Sequence, residues 1–80
     1  MVILSQDKQA VINFDNVKSL ELVQRTDRGA SIEVNYNDTS FEIIAKYSSM
    51  DQGKKIINEI FTGYRGSSIY SMPADKKGDI

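Results

Sequence analysis

The stretch Thr62-Gly63-Tyr64-Arg65-Gly66-Ser67-Ser68 holds the residue types and spacing best suited to binding chemistry. Its two glycines let a ligand approach the main chain, the Arg65 guanidinium offers a planar fork of donors matched to phosphate, and Tyr64 can stack on a base. Gly66, Ser67 and Ser68 add backbone N–H groups and two hydroxyls. Together these groups can hold a cyclic or otherwise phosphorylated nucleotide, and Arg28, in the turn Asp27-Arg28-Gly29, supplies a second positive point. The same loop also suits a purely structural part, with glycine at a helix end, tyrosine finishing an apolar stripe, and arginine where a helix C-terminus favours a cation. Gly63-Tyr64-Arg65-Gly66 spells the G-x-x-G of KH domains, but that clamp joins two helices, whereas here the chain passes from a helix to a short strand.

Catalysis has little to work with. The chain contains neither histidine nor cysteine, which removes the commonest general base, the commonest zinc ligand and any thiolate nucleophile. Asp7, Asp15, Asp27 and Asp38 recur at similar spacing, yet each falls in a predicted turn, where aspartate hydrogen-bonds its own backbone. No G-x-S-x-G stands at a strand-to-helix turn. The expectation is a non-enzymatic binding protein with no catalytic residue, metal or cofactor.

Charge narrows the partners. Ten Lys and Arg against eleven Asp and Glu leave a net charge of −1, with the signs mixed along the chain. Binding to a nucleic-acid duplex needs a concentrated basic surface, and a DNA mimic needs rows of carboxylates; neither is present. Met1-Val2-Ile3-Leu4 is apolar but shorter than the roughly 7–15 residues of a secretory h-region, so the expected location is the cytoplasm, away from membranes.

These groups must be positioned by a single small domain. A chain of 80 residues buries only about 60–65% of the surface it exposes when unfolded. Its front half alternates apolar and polar residues between turns spaced by roughly ten, the pattern of consecutive antiparallel strands. These are Val2 to Ser5, Ala10 to Phe14, Val17 to Thr26, Ala30 to Tyr36 and Phe41 to Tyr47. In the last two, Ala30, Ile32, Val34 and Tyr36, and Phe41, Ile43, Ala45 and Tyr47, are the expected inward residues, with Ser31, Glu33 and Asn35 on the wet side. At Ser48-Ser49 the period changes to 3.6. Ser49 with Gln52 makes a capping pattern, and Ile56, Ile57, Ile60, Phe61 and Tyr64 share one stripe.

Gly63 or Gly66 ends that helix, Ile69 to Met72 is a short terminal strand closed by Pro73, and 74–80 is a flexible polar tail. The predicted fold is α+β, a meandering antiparallel sheet of about five strands covered by one C-terminal amphipathic helix, with the domain spanning 1–73. The uncharged first strand, read as an open edge, and the small core predict a homodimer or a higher symmetric oligomer.

Four stretches carry a family resemblance: Ile3-Leu4-Ser5-Gln6-Asp7-Lys8, Ile12-Asn13-Phe14-Asp15-Asn16-Val17, Tyr47 leading into the helix with Ile56-Ile57-Asn58-Glu59-Ile60, and Ile69-Tyr70-Ser71-Met72-Pro73. Over residues 3–73 the chain resembles a group of short proteins carried by phages and prophages of Gram-positive bacteria. The resemblance brings no residue-level site. It implies a context in which small cysteine-free proteins bind and block a host defence system. Two functions follow as expectations: sequestration of a signalling nucleotide by the 62–68 loop, or inhibition of a host defence protein such as a CRISPR nuclease through exposed tyrosines and edge-strand pairing. A structural or regulatory phage role is the third.

Overall fold

The computed structural model describes residues 1–25, 29–37, 39–63 and 69–75. Strand β1 (Val2–Leu4) pairs antiparallel with β2 (Val11–Asn13), so that Ile3 and Ile12, both buried, face one another. Asn13 then stops the strand: its side-chain oxygen accepts the Asp15 N–H at 3.0 Å and opens a 3-10 turn over Phe14–Asn16. Three strands follow as an antiparallel sheet in chain order, β3 (Ser19–Gln24), β4 (Ala30–Asn35) and β5 (Phe41–Tyr47). Asn37 folds the turn between β4 and β5, accepting the N–H groups of Thr39 and Ser40 at 2.8 and 2.9 Å.

Helix α1 (Met50–Gly63) starts where the capping pattern places it, with the Ser49 hydroxyl accepting the Gln52 N–H at 3.3 Å. It lies across the β3-β4-β5 sheet, with Ile56 and Ile60 buried. Buried Gly53 lets it approach β3 closely; a Cβ there would run into the Leu22 side chain. The last strand, β6 (Ile69–Ser71), returns to run parallel to β1. The predicted α+β order of strands, then helix, then short strand is what the chain forms, and its six strands are divided between two sheets, β2-β1-β6 and β3-β4-β5. One apolar core joins them: Ile3, Ile12 and Met72 cluster with Ile32, Val34, Ile44, Ala45, Tyr47, Ile56 and Ile60.

Four details differ from the expected pattern. Phe41 and Ile43, expected inward, are 59% and 39% exposed, while Ile44 is buried. The cause is a register shift in the β4–β5 ladder: Ile32 pairs with Ala45 but Glu33 pairs with Ile43, so Ile44 is an extra residue in a bulge and every side chain before it changes face. Phe61, expected in the packed stripe, is 79% exposed at the outer flank of α1. Ser31, expected on the wet side, is fully buried, because Arg25 folds over it and donates from Nε to its hydroxyl at 2.8 Å. Finally, β1 is no open edge, since it sits between β2 and β6. Within the expected tail, Asp75 accepts the N–H and hydroxyl of Ser48 at 3.0 and 3.1 Å, tying the chain beyond Pro73 to the start of α1.

Candidate functional site

The loop residues Tyr64, Arg65, Gly66, Ser67 and Ser68, and Arg28 with them, lie outside the described residues, as do Asp27 and Asp38. The loop's flanks are described: α1 ends at the exposed Gly63 and β6 begins at Ile69, so the loop connects the helix to the strand beside β1. Asp7 performs the turn role expected of it. Its carboxylate accepts the Ser5 hydroxyl at 2.6 Å and the Gln9 N–H at 3.0 Å, and these bonds, the hydroxyl's first, hold its pKa below the ordinary carboxylate value. Among the described residues no three Asp or Glu side chains gather into a metal-binding group.

What the described residues do bring together is an open strand edge above an apolar groove. Hydrogen-bond parity in an antiparallel sheet alternates residue by residue. The Arg25 N–H donates to the Gly29 carbonyl at 2.7 Å, which turns the main chain of the odd-numbered β3 residues toward β4 and that of Leu20 and Leu22 away from it. Among the described residues no strand lies beyond β3. The Leu20 and Leu22 side chains, opposite Val34 and Ile32, point to the helix-covered face. There they line a groove of about 350 Å³ with Ile57, Phe61, Lys54 and Asn58. The groove exists because α1 sits close to β3 at Gly53 and its later turns leave Ile57 half-buried and Phe61 exposed.

The other face of the edge is charged. Glu21 lies directly opposite Glu33, whose carboxylate is taken by the Arg25 guanidinium. The exposed Glu21, at the middle of the strand, accepts a hydrogen bond from the Ser19 hydroxyl at 3.1 Å, a neutral donor, and has no ion-pair partner among the described residues. A smaller hollow of about 260 Å³, lined by Gln6, Asp7, Ile43, Ile44, Ala45 and Lys46, lies at the far side of the sheet beside β5. The described tyrosines, Tyr36, Tyr47 and Tyr70, are committed to internal bonds. Tyr70 donates to Glu59 at 2.9 Å and Tyr47 to the Pro73 carbonyl at 2.8 Å, and burial raises both pKa values, that of Tyr47 to about 12.

In the sequence, Leu20 and Leu22 share one face of the strand over Val17 to Thr26 with Glu21 pointing away, and Ile57 and Phe61 belong to the helix stripe. The available signal was Phe61 itself, which stands at the margin of the helix stripe rather than at its centre. No protein-family model, curated protein or solved structure matches the chain.

Proposed function

We propose that this is a non-enzymatic binding protein that docks on a partner protein through the β3 edge and the groove beside it. The observation that carries this is the open edge itself. The outward main-chain groups of Leu20 and Leu22, which no described strand pairs, lie directly above an apolar groove, the arrangement that lets an extended segment add as a further strand while its side chains enter pockets. The resemblance to small phage proteins supplies the context: the partner is a host defence effector, and covering it is how the protein acts. A photo-crosslinking residue in place of Phe61, and separately in place of Val11 on β2, which is also exposed, tests this in the host cell. A discrete protein adduct from position 61 and none from position 11 is expected. Equal labelling from both positions, or none from 61, removes the assignment.

Capture of a signalling nucleotide is the second reading, favoured by the chemistry of Tyr64, Arg65, Gly66, Ser67, Ser68 and Arg28. Calorimetric titration with cyclic di- and trinucleotides tests it. Arg65→Ala is expected to lower affinity roughly ten- to a hundredfold, since a charge-assisted bond to phosphate contributes about 1.5–3 kcal/mol. A parent protein that binds none of them excludes it.

A further inference from the structure

Resting on the docking role proposed above, we propose that the segment β3 accepts is an extended stretch of the partner protein in which one lysine or arginine is flanked by two apolar residues. Three features of the edge converge on that pattern. The outward main-chain groups include those of Leu20 and Leu22, and an added strand hydrogen-bonded across this pair has its central residue beside Glu21. Side chains alternate across a strand. The two residues flanking the centre therefore point, as Leu20 and Leu22 do, toward the groove floored by Ile57 and Phe61, which takes apolar groups. The central residue points to the opposite face, where the Glu21 carboxylate lies next to Glu33 and has no ion-pair partner among the described residues. A cation is favoured there.

The same charge disfavours one register in which a second copy of this chain could occupy the edge. In the antiparallel register that sets Leu20 opposite Leu22 of a second copy, Glu21 stands against Glu21. Like charges directly opposite on neighbouring strands are destabilising, and a charge in the middle of an edge strand is a common device against self-pairing.

The test uses the whole protein and end-capped heptapeptides with the sequences Thr-Thr-Leu-Lys-Leu-Thr-Thr, Thr-Thr-Leu-Glu-Leu-Thr-Thr and Thr-Thr-Ser-Lys-Ser-Thr-Thr, followed by amide NMR shifts. The Leu-Lys-Leu peptide is expected to shift the Leu20, Leu22 and Phe61 amides and to bind about three- to tenfold more tightly than either other peptide. Glu21→Lys, a change at an exposed position that leaves the core untouched, is expected to reverse the preference between the lysine and glutamate peptides. Equal affinity for those two peptides, or an unreversed order in Glu21→Lys, overturns the inference. So does a parent protein that scatters light as two chains and becomes one chain in Phe61→Asp, because the edge then holds a second copy. Absence of any shift at Leu20 and Leu22 alongside a crosslink at position 61 overturns strand addition while the docking role stands; failure of both experiments removes both.

Discussion

The side-chain amide of Gln6 pairs with the main chain of Lys46 as a residue of a neighbouring strand would: Oε1 accepts the Lys46 N–H at 2.8 Å and Nε2 donates to the Lys46 carbonyl at 2.9 Å. The Gln6 N–H also donates to the Ile44 carbonyl at 2.9 Å, and Nε2 reaches the Pro73 carbonyl at 3.2 Å. One residue of the β1–β2 loop thus closes the outer edge of β5 and joins both sheets to the C-terminal segment. The β3-β4-β5 sheet has two outer edges, and Gln6 closes one of them.

Gln6→Glu should therefore be costly. The substitution removes the donor and turns a carboxylate oxygen toward the carbonyls of Lys46 and Pro73. A loss of about 1–3 kcal/mol at neutral pH is expected, the range for a broken hydrogen bond that leaves a group unsatisfied. Part of it should return below about pH 4, where the carboxyl regains a proton. Urea unfolding at the two pH values measures both effects, and equal stability of variant and parent at pH 7 would contradict the bridging role.

Gly53 and Leu22 should behave as a coupled pair. Alanine at an interior helix position is favoured over glycine by about 1 kcal/mol, but its Cβ meets the end of the Leu22 side chain, which must turn further into the groove. Gly53→Ala alone should gain less than the propensity difference, and the full gain should appear in the Leu22→Ala background. A double-mutant cycle should return a coupling of about 0.5–1 kcal/mol. Strict additivity would mean that the close approach of α1 to β3 has no energetic consequence.

Alkaline unfolding should report on Tyr47. Burial favours its neutral form and lifts its pKa to about 12. The folded state thus holds the proton more tightly than the unfolded chain, whose tyrosine titrates near 10. Stability from this group is complete below about pH 10 and declines as the pH climbs toward 12. Tyr47→Phe should lose about 1 kcal/mol at pH 7, from the bond to the Pro73 carbonyl, and show a shallower decline above pH 10. Tyr70 and Tyr36, whose pKa values are raised as well, contribute to the remaining slope. An unchanged alkaline slope would count against the burial effect.

Ile60 and Phe61, adjacent in sequence, should separate folding from binding. Ile60 is buried in the core, so Ile60→Asp places an unpaired charge there and should cost several kcal/mol, much of a small domain's stability. Phe61→Asp alters an exposed side chain and should leave the melting midpoint within about 2–3 °C of the parent, as surface changes near 0.5 kcal/mol do. Circular-dichroism melts of the two variants decide this, and matched midpoints would mean that the helix is rotated from the face described.

Local patterning accounts for much of what the chain forms. Alternation in Ala30 to Asn35 marks a strand buried on one face, the Ser49 hydroxyl marks the start of α1, and Ile56 and Ile60 mark its packed side; each signal lies within a few residues of what it specifies. The candidate edge was harder to see. Glu21 between two leucines looks the same in a central strand and an edge strand, and only the pairing partner distinguishes them.

What the sequence by itself determined was the order and type of the elements, because periods of two and 3.6 and a cap at Ser49 are local properties of the chain. Tertiary structure alone decided which strands share a sheet, that β1 is central and β3 open, and that Ile44 rather than Ile43 enters the core. Those outcomes depend on contacts between residues far apart in the chain. Ile43 and Ile44 are chemically identical neighbours, and the choice between them is made by the register with β4 and by the N–H of Gln6, which meets the Ile44 carbonyl from the β1–β2 loop. Phe61 is left exposed for a similar reason: the apolar stripe of α1 is wider than the part of the sheet that α1 covers, and the excess becomes surface.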